Sequence, residues 1–371
     1  MLMHLLRANR KAGQTSYSLV FLSDGPMVRE AAELGYSVEV MDAGKIRQID
    51  KFMQTTYRLY KWMKREQLQV VMSWMSKGHL YAGIAAKWAG LPAVWWQHGG
   101  STKDTWLERL IYRIPASGVL CCSRYVAELQ SGKTPSLSCK VIYPAVDLEQ
   151  LDEISRITVR EARNRLDLPQ DACIIGVVAR LQRWKGVHRF VEAATQAASR
   201  HPGLYFVVVG GPHHSEPDYL DELKALASND RLEGKIRFAG HRDDAPLWMQ
   251  ACDILAHTTT GVEPFGMVVI EGMALKKPMI AAKAGGPLEI IEHGENGLLA
   301  VPDRVDELSE CMLTLVQDRE LRIRLGEAAG RKARQFGADR LARDVSEYIG
   351  SMAKIRTKTS IQINGKAGKE P

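Results

Sequence analysis

Along the first 150 residues, short apolar runs rich in β-branched and aromatic side chains alternate with longer amphipathic stretches. Strands are predicted at SYSLVFLSD, YSVEVMDAG, QVVMSWMSK, AVWWQHGG, GVLCCS and KVIYPAV. Helices are predicted at MVREAAELG, KIRQIDKFMQTTYRLYKWMKREQL and LYAGIAAKWAG. That alternation is the signature of a parallel sheet covered by helices. The second half repeats it, with CIIGVVARL, LYFVVVGG, KIRFAG, DILAHT and PMIAAKAGG as strands. Between the halves, DLEQLDEISRITVREARNRLDLPQDA is polar and reads as a linker with a short helix.

The expected organisation is therefore α/β: an N-terminal domain over 1–165, a C-terminal domain over 170–338, a closing helix over 339–353 and a disordered tail over 354–371. Two parallel-sheet domains of similar size predict a ligand cleft between them. The opening, LMHLLRANRKAG, has helical periodicity, so the N-terminal domain is read as lacking a first strand.

Composition adds limits. The chain has 371 residues, 45% hydrophobic and 25% charged, as expected of an ordinary globular protein of two domains. No apolar run reaches the roughly 18 residues of a membrane-spanning helix, and the start has neither the apolar core nor the cleavage site of a signal peptide. A cytoplasmic protein is expected. Six cysteines without CxxC spacing read as buried free thiols, so neither a disulfide nor a metal is expected. The net charge of +7 is one-sided: residues 1–150 carry 19 Lys and Arg against 12 Asp and Glu, while the remainder carries 31 of each.

Two stretches carry chemistry. In VVARLQRWKGVHRF an apolar strand ends near Arg180, and a turn with Lys185 and Gly186 leads into a helix. This is a place where a sheet's carboxyl edge and a helix N-terminus can bind phosphate. Arg180 can clamp it bidentately and Lys185 can supply a mobile charge. In TTTGVEPFGMVVIEGMAL, Pro264 and Gly266 break the periodicity, and a helix is predicted to start near Phe265 or Gly266. The amides of Gly266, Met267 and Val268 would then face a phosphate. Glu271, in the second turn, would be in reach of ribose hydroxyls. Glu263, at the mouth, would repel phosphate and must serve a sugar's hydroxyls.

EPFGMVVIEGMA resembles the Glu-x7-Glu motif of retaining GT-B glycosyltransferases, glycosyltransferase family 4 in particular. VARLQRWKG is similar to the family's diphosphate-binding turn, and AAKAGGPLEIIEHGENGLLAVP to the block after the motif. The resemblance covers residues 172–350 and is looser before them. It implies the GT-B fold, two Rossmann-like domains about a central cleft, and transfer of a sugar from a nucleotide-sugar donor to a sugar or lipid-linked acceptor. Arg180 and Lys185 would hold the donor diphosphate together with the backbone of Gly266, Met267 and Val268. Glu271 would bind the ribose, and Gly240-His241-Arg242 would lie by the base. Glu263, Phe265 and His98 would line the donor sugar, with Glu263 and His98 as the catalytic-site side chains and no side-chain nucleophile. The family's first strand and Gly-rich loop would precede Met1, and nothing in residues 1–15 replaces that loop.

No metal and no cofactor are expected, and the lack of an aromatic-basic platform argues against nucleic acid despite a pI of about 9.0. A nucleotide-sugar epimerase and a non-catalytic GT-B partner are the alternatives. Residues 45–65 hold seven Lys or Arg among large apolar side chains, which suits peripheral contact with an anionic membrane or a core-packed helix with a solvated basic face.

Overall fold

The computed structural model describes residues 1–13, 15–44, 46–99 and 105–364, the stretch 354–364 by its backbone alone. The chain divides into two compact units, Met1–Ala145 with Ala338–Pro371, and Val146–Gly337. The first runs through α1 (Leu2–Ala12), β1 (Ser18–Phe21), α2 (Pro26–Glu33), β2 (Ser37–Val40), α3 (Ile49–Arg65) and β3 (Val71–Trp74). It continues with α4 (Met75–Ala89), β4 (Ala93–Gln97), α5 (Trp106–Tyr112), β5 (Gly118–Cys121), α6 (Arg124–Lys133) and β6 (Cys139–Val141).

Strands β3 to β6 form one parallel sheet in sequence order, and β1 and β2 pair in a separate parallel sheet. Helix α1 spans both. Its Leu5 and Ala8 join the core of Val94, Trp96 and Leu120, while Met3 and Leu6 pack with Leu19 and Phe21. The first helix thus precedes the first strand, as the opening periodicity predicts. Side-chain oxygens cap two helix starts: Thr105 forms a capping box with Glu108 on α5, and Ser123 accepts from the Val126 amide on α6.

The second unit holds α7 (Leu148–Ser155), α8 (Val159–Leu166), β7 (Cys173–Val178), a 3-10 turn (Arg183–Lys185), α9 (Val187–Arg200), β8 (Leu204–Val209) and α10 (Tyr219–Ala227). Then come β9 (Ile236–Gly240), α11 (Ala245–Ala251), β10 (Ile254–His257), α12 (Met267–Ala274), β11 (Met279–Ala282) and α13 (Pro287–Ile290). β12 (Leu298–Ala300), α14 (Val305–Gln317) and α15 (Arg319–Ala333) complete it. Its six strands are parallel in the order β12-β11-β10-β7-β8-β9. The chain winds outward from β7 through β8 and β9, then returns to β10 on the other side. The order reverses between β7 and β10, which makes their carboxyl ends the natural ligand-binding edge.

The boundary between the units lies at Val146 and not in 165–170. The polar stretch read as a linker is bound into the second unit by Arg163, which is 5% exposed. Its guanidinium donates to the carbonyls of Ala251, Gln170 and Ala172 and to Asp253 Oδ2 at 2.6 Å. Asp253 Oδ2 also accepts from the Ile174 amide at the start of β7, at 2.7 Å.

The closing helix, α16 (Ala338–Asn364), is not a separate element. It packs Leu341, Ala342 and Val345 against Leu5 and Ala8 in the first unit, and Arg340 donates to the Tyr143 carbonyl at 2.6 Å. It also runs further than the periodicity suggests. After Gly350 no Gly or Pro occurs before Gly365, so nothing breaks the backbone helix where the apolar pattern fades at Lys354. The rest of the expected tail, 365–371, lies outside the described residues.

All six cysteines are free thiols. No helix of the described residues is long and apolar enough to cross a membrane.

Replacing Arg163 by Ala strands a carboxylate and three carbonyls, so urea unfolding of the Arg163→Ala variant is expected to show a loss of about 3 kcal/mol or more. A loss below about 1 kcal/mol, the range of an exposed ion pair, would contradict the account of Arg163 as the fastening between α8 and the sheet.

Candidate active site

Strand β7 is an apolar run, CIIGVV, that needs no side-chain help to enter the centre of the sheet. Its chain leaves the carboxyl edge through Ala179 and Arg180. Arg180 is exposed, and its guanidinium makes no hydrogen bond or ion pair among the described residues. The 3-10 turn Arg183–Lys185 follows and closes on Gly186, whose φ of 68° is left-handed. A Cβ there would lie 1.8 Å from the Thr258 carbonyl oxygen, so only glycine lets this turn rest on the exit of β10. Thr258 Oγ1 donates to the Lys185 carbonyl at 3.2 Å, and the Thr260 amide to the Trp184 carbonyl at 3.0 Å.

That seating delivers Lys185 to Glu263, with Nζ 2.5 Å from Oε2. Glu263 is 8% exposed. His257, the last residue of β10, places Nε2 3.3 Å from the same oxygen, and Thr259 Oγ1 stands 3.5 Å from it. Burial alone would push the Glu263 carboxyl up. The hydrogen bond from His257 and the charge of Lys185 outweigh it and hold the group at about 2.

The backbone after Glu263 is fitted against two glycines. Gly286 N donates to the Glu263 carbonyl at 2.8 Å, and a Cβ on Gly286 would fall 2.2 Å from Phe265 Cα. Helix α12 then begins at Met267 with Gly266 as its N-cap, φ 106°, so the first-turn amides of Gly266, Met267 and Val268 come to the carboxyl edge as predicted. Glu271 lies in the second turn, half-buried. Burial pushes its carboxyl up, and it has no hydrogen-bond partner among the described residues.

The Phe265 ring is buried and meets Phe336 edge-on with centroids 5.7 Å apart, which leaves its backbone, the part expected to complete the site, but not its ring to face a ligand.

Beside Arg180 a cleft of about 440 Å³ opens, lined among others by Gly210, Gly211, His213, His241 and Arg242. His241 and Arg242, directly after Gly240 at the end of β9, thus line a space next to the Arg180 end of β7.

Arg180, Lys185, Glu263, the α12 amides and Glu271 therefore share the carboxyl edge of one sheet. His98 belongs to the other unit, just past β4. Its ring stacks on Trp74 at 4.8 Å and on Trp96 at 5.2 Å, and burial pulls its imidazole down to about 3, so it is neutral at ordinary pH. Sequence reading missed His257 and Thr259. Their signal was the polar run HTTTG placed directly after the apolar strand DILA.

Residues 158–332 match the family model for glycosyl transferases group 1, and residues 2–150 that for glycosyltransferase family 4. The chain is 28% identical over 232 residues to the D-inositol 3-phosphate glycosyltransferase of Corynebacterium urealyticum, covering 61% of this chain and 54% of that one. It is 31% identical over 165 residues to the lipopolysaccharide core biosynthesis glycosyltransferase LpsE of Rhizobium meliloti, covering 44% and 46%. The chain spans about half the length of these curated relatives. Among solved structures, Anabaena HepE in complex with UDP and glucose superposes with a TM-score of 0.80 at 26% identity, over 94% of this chain and 96% of that one. A glycosyltransferase from Rickettsia africae shares the fold, with a TM-score of 0.82 at 19% identity over 95% and 94%.

Gly186→Ala forces both a left-handed alanine and a collision with backbone, and is expected to cost at least about 2 kcal/mol in urea unfolding. Gly261→Ala, in the loop after β10 with open space at its Cβ, serves as the control and is expected to be near neutral. Equal stability of the two variants would contradict the seating of the Lys185 turn on β10.

Proposed function

Because this chain belongs to the group 1/family 4 glycosyltransferases, we propose that it transfers a sugar from a UDP-sugar donor to a glycan or lipid-linked acceptor, with retention at the anomeric carbon. The observation that carries this reading is the grouping of Arg180, Lys185 and the α12 amides with Glu263 and Glu271 on one sheet edge. HepE, whose structures hold UDP or UDP-glucose, supplies the choice of nucleotide.

Breaking a glycosyl-phosphate bond leaves negative charge on the diphosphate and builds positive charge on the sugar ring. Arg180, Lys185 and the helix amides are donors for the first, an electrostatic service that needs no resident metal. Glu271, a carboxylate pushed up by burial, gains from accepting ribose hydroxyls. Glu263 stays ionised and accepts from the sugar's hydroxyls. With no side-chain nucleophile assigned, the departing phosphate oxygen takes the acceptor's proton on the face it leaves, which gives retention.

A lipid-linked acceptor is favoured by α3. Its Leu59, Trp62 and Met63 are buried, yet Ile49, Met53 and Tyr57, spaced by four, stand 74%, 49% and 50% exposed. Arg58, Lys61 and Lys64 flank this stripe, with Lys61 Nζ 4.8 Å from the Tyr57 ring centroid. Lys45 lies outside the described residues. Apolar tips beside cations suit the interface of an anionic bilayer.

Donor binding tests the site. Arg180→Ala is expected to weaken UDP by about 1.5–3 kcal/mol in calorimetry, as removal of a charged hydrogen bond does. Glu271→Ala is expected to weaken UDP, and Glu263→Ala to spare UDP while harming the intact donor. Transfer is expected to survive EDTA. Unchanged UDP affinity in both Arg180→Ala and Lys185→Ala would contradict the phosphate assignment.

Vesicle co-sedimentation at low salt tests the surface. Reversing Arg58, Lys61 and Lys64 to Glu is expected to release the protein from anionic vesicles, each residue contributing about 1 kcal/mol. Arg65 is left alone because Glu39 and Glu66 already hold it at 2.7 and 2.9 Å. Wild type that ignores anionic vesicles would contradict the lipid reading.

A further inference from the structure

Glu263 spends its two carboxylate oxygens differently. Lys185 Nζ at 2.5 Å, His257 Nε2 at 3.3 Å and Thr259 Oγ1 at 3.5 Å all address Oε2. Oε1 receives no hydrogen bond among the described residues. One oxygen is anchored to protein and the other is left for a ligand.

The anchors are not equivalent. Lys185 is the mobile one, a flexible stem whose charge the proposed function assigns to the diphosphate. Once it turns to phosphate, His257 and Thr259 are what remains on Oε2. His257 is suited to that task. It ends β10 in the middle of the sheet, is 5% exposed, and cannot follow Lys185 away.

A carboxylate only accepts, so the Nε2 proton is required for the contact with Glu263. Nδ1 is buried and has no hydrogen-bond partner among the described residues. The one Nε2 proton is shared between two acceptors, Glu263 Oε2 at 3.3 Å and Thr259 Oγ1 at 2.9 Å, and the Thr259 hydroxyl hydrogen is left to face the carboxylate.

We propose that His257, supported by Thr259, is the positioning residue that holds Glu263 Oε2 so that Oε1 meets the hydroxyls of the donor sugar. This rests on the glycosyltransferase reading and adds to it a residue outside the Glu-x7-Glu pair. Its consequence is a separation of effects. The anchor matters for the sugar and not for the nucleotide, because His257 addresses only the residue assigned to the sugar.

The test uses the full chain as wild type, His257→Ala, His257→Gln and Thr259→Val. UDP affinity is measured by calorimetry, and turnover by UDP release from the best-used member of a panel of UDP-sugars. The wild type reports on the proposed function: if it binds no UDP and releases none from any UDP-sugar, that reading fails and this inference with it. Given an active wild type, His257→Ala is expected to keep UDP affinity within about twofold and to lose about 10²-fold in kcat, the cost of a misplaced group. Glutamine carries an N–H at the reach of Nε2, so His257→Gln is expected to recover most of that loss. Thr259→Val is expected to retain UDP binding with a smaller loss of kcat.

Wild-type kcat in His257→Ala would overturn the proposal. So would equal damage in Ala and Gln variants accompanied by weakened UDP binding, the mark of a packing role. If His257→Ala fails to fold, His257→Gln and Thr259→Val decide: loss of UDP binding in step with kcat in both overturns the proposal, and loss of kcat alone supports it.

Discussion

A carboxylate almost out of water is the constraint around which the second unit is arranged. Glu263 is 8% exposed, and an ionised group so placed is tolerable only with donors in contact. Each donor imposes a demand on the fold. Lys185 must arrive on a turn that lies flat against β10, which requires a residue without Cβ at 186. His257 must sit at the end of the strand, and Thr259 two residues on. Behind the carboxylate, Gly285 and Gly286 let the following loop lie against the backbone of Glu263 and Phe265, with φ at Gly285 of 66°. The ion pair therefore fixes the relative positions of β7, β10 and the start of α12, the three elements from which the site is made.

The pair also settles charge at the sheet edge. Lys185 is neutralised by Glu263, so no unpaired charge stays half-buried there. Arg180, by contrast, stands in solvent and needs no such partner. The two cations of this edge thus differ: Lys185 is paired within the fold and Arg180 is exposed.

Much of this was legible in the residues. The strand-turn-helix of VVARLQRWKGVHRF places Arg180 and Lys185 where they are found, because an apolar strand, a glycine and an amphipathic helix are local signals. The start of α12 was equally plain from Pro264 and Gly266. What could not be read was anything set by packing across the sequence. The burial of the Phe265 ring against Phe336, 71 positions away in the chain, is one case. The stretch 146–165 looks like a linker by polarity, and only the contacts of Arg163 with Asp253 and with the Gln170, Ala172 and Ala251 carbonyls show it to be bound. His257 passes for the polar end of a strand until Glu263 is seen beside it.

The central claim is that Lys185 exchanges its carboxylate for a diphosphate while Glu263 stays anchored. A crystal structure of the full chain with its UDP-sugar bound tests this most directly. The account predicts Lys185 Nζ at about 2.8 Å from a diphosphate oxygen, a charge-assisted distance, with Glu263 Oε2 still on His257 and Oε1 on a sugar hydroxyl. Lys185 still paired to Glu263 with the diphosphate bound elsewhere would contradict it.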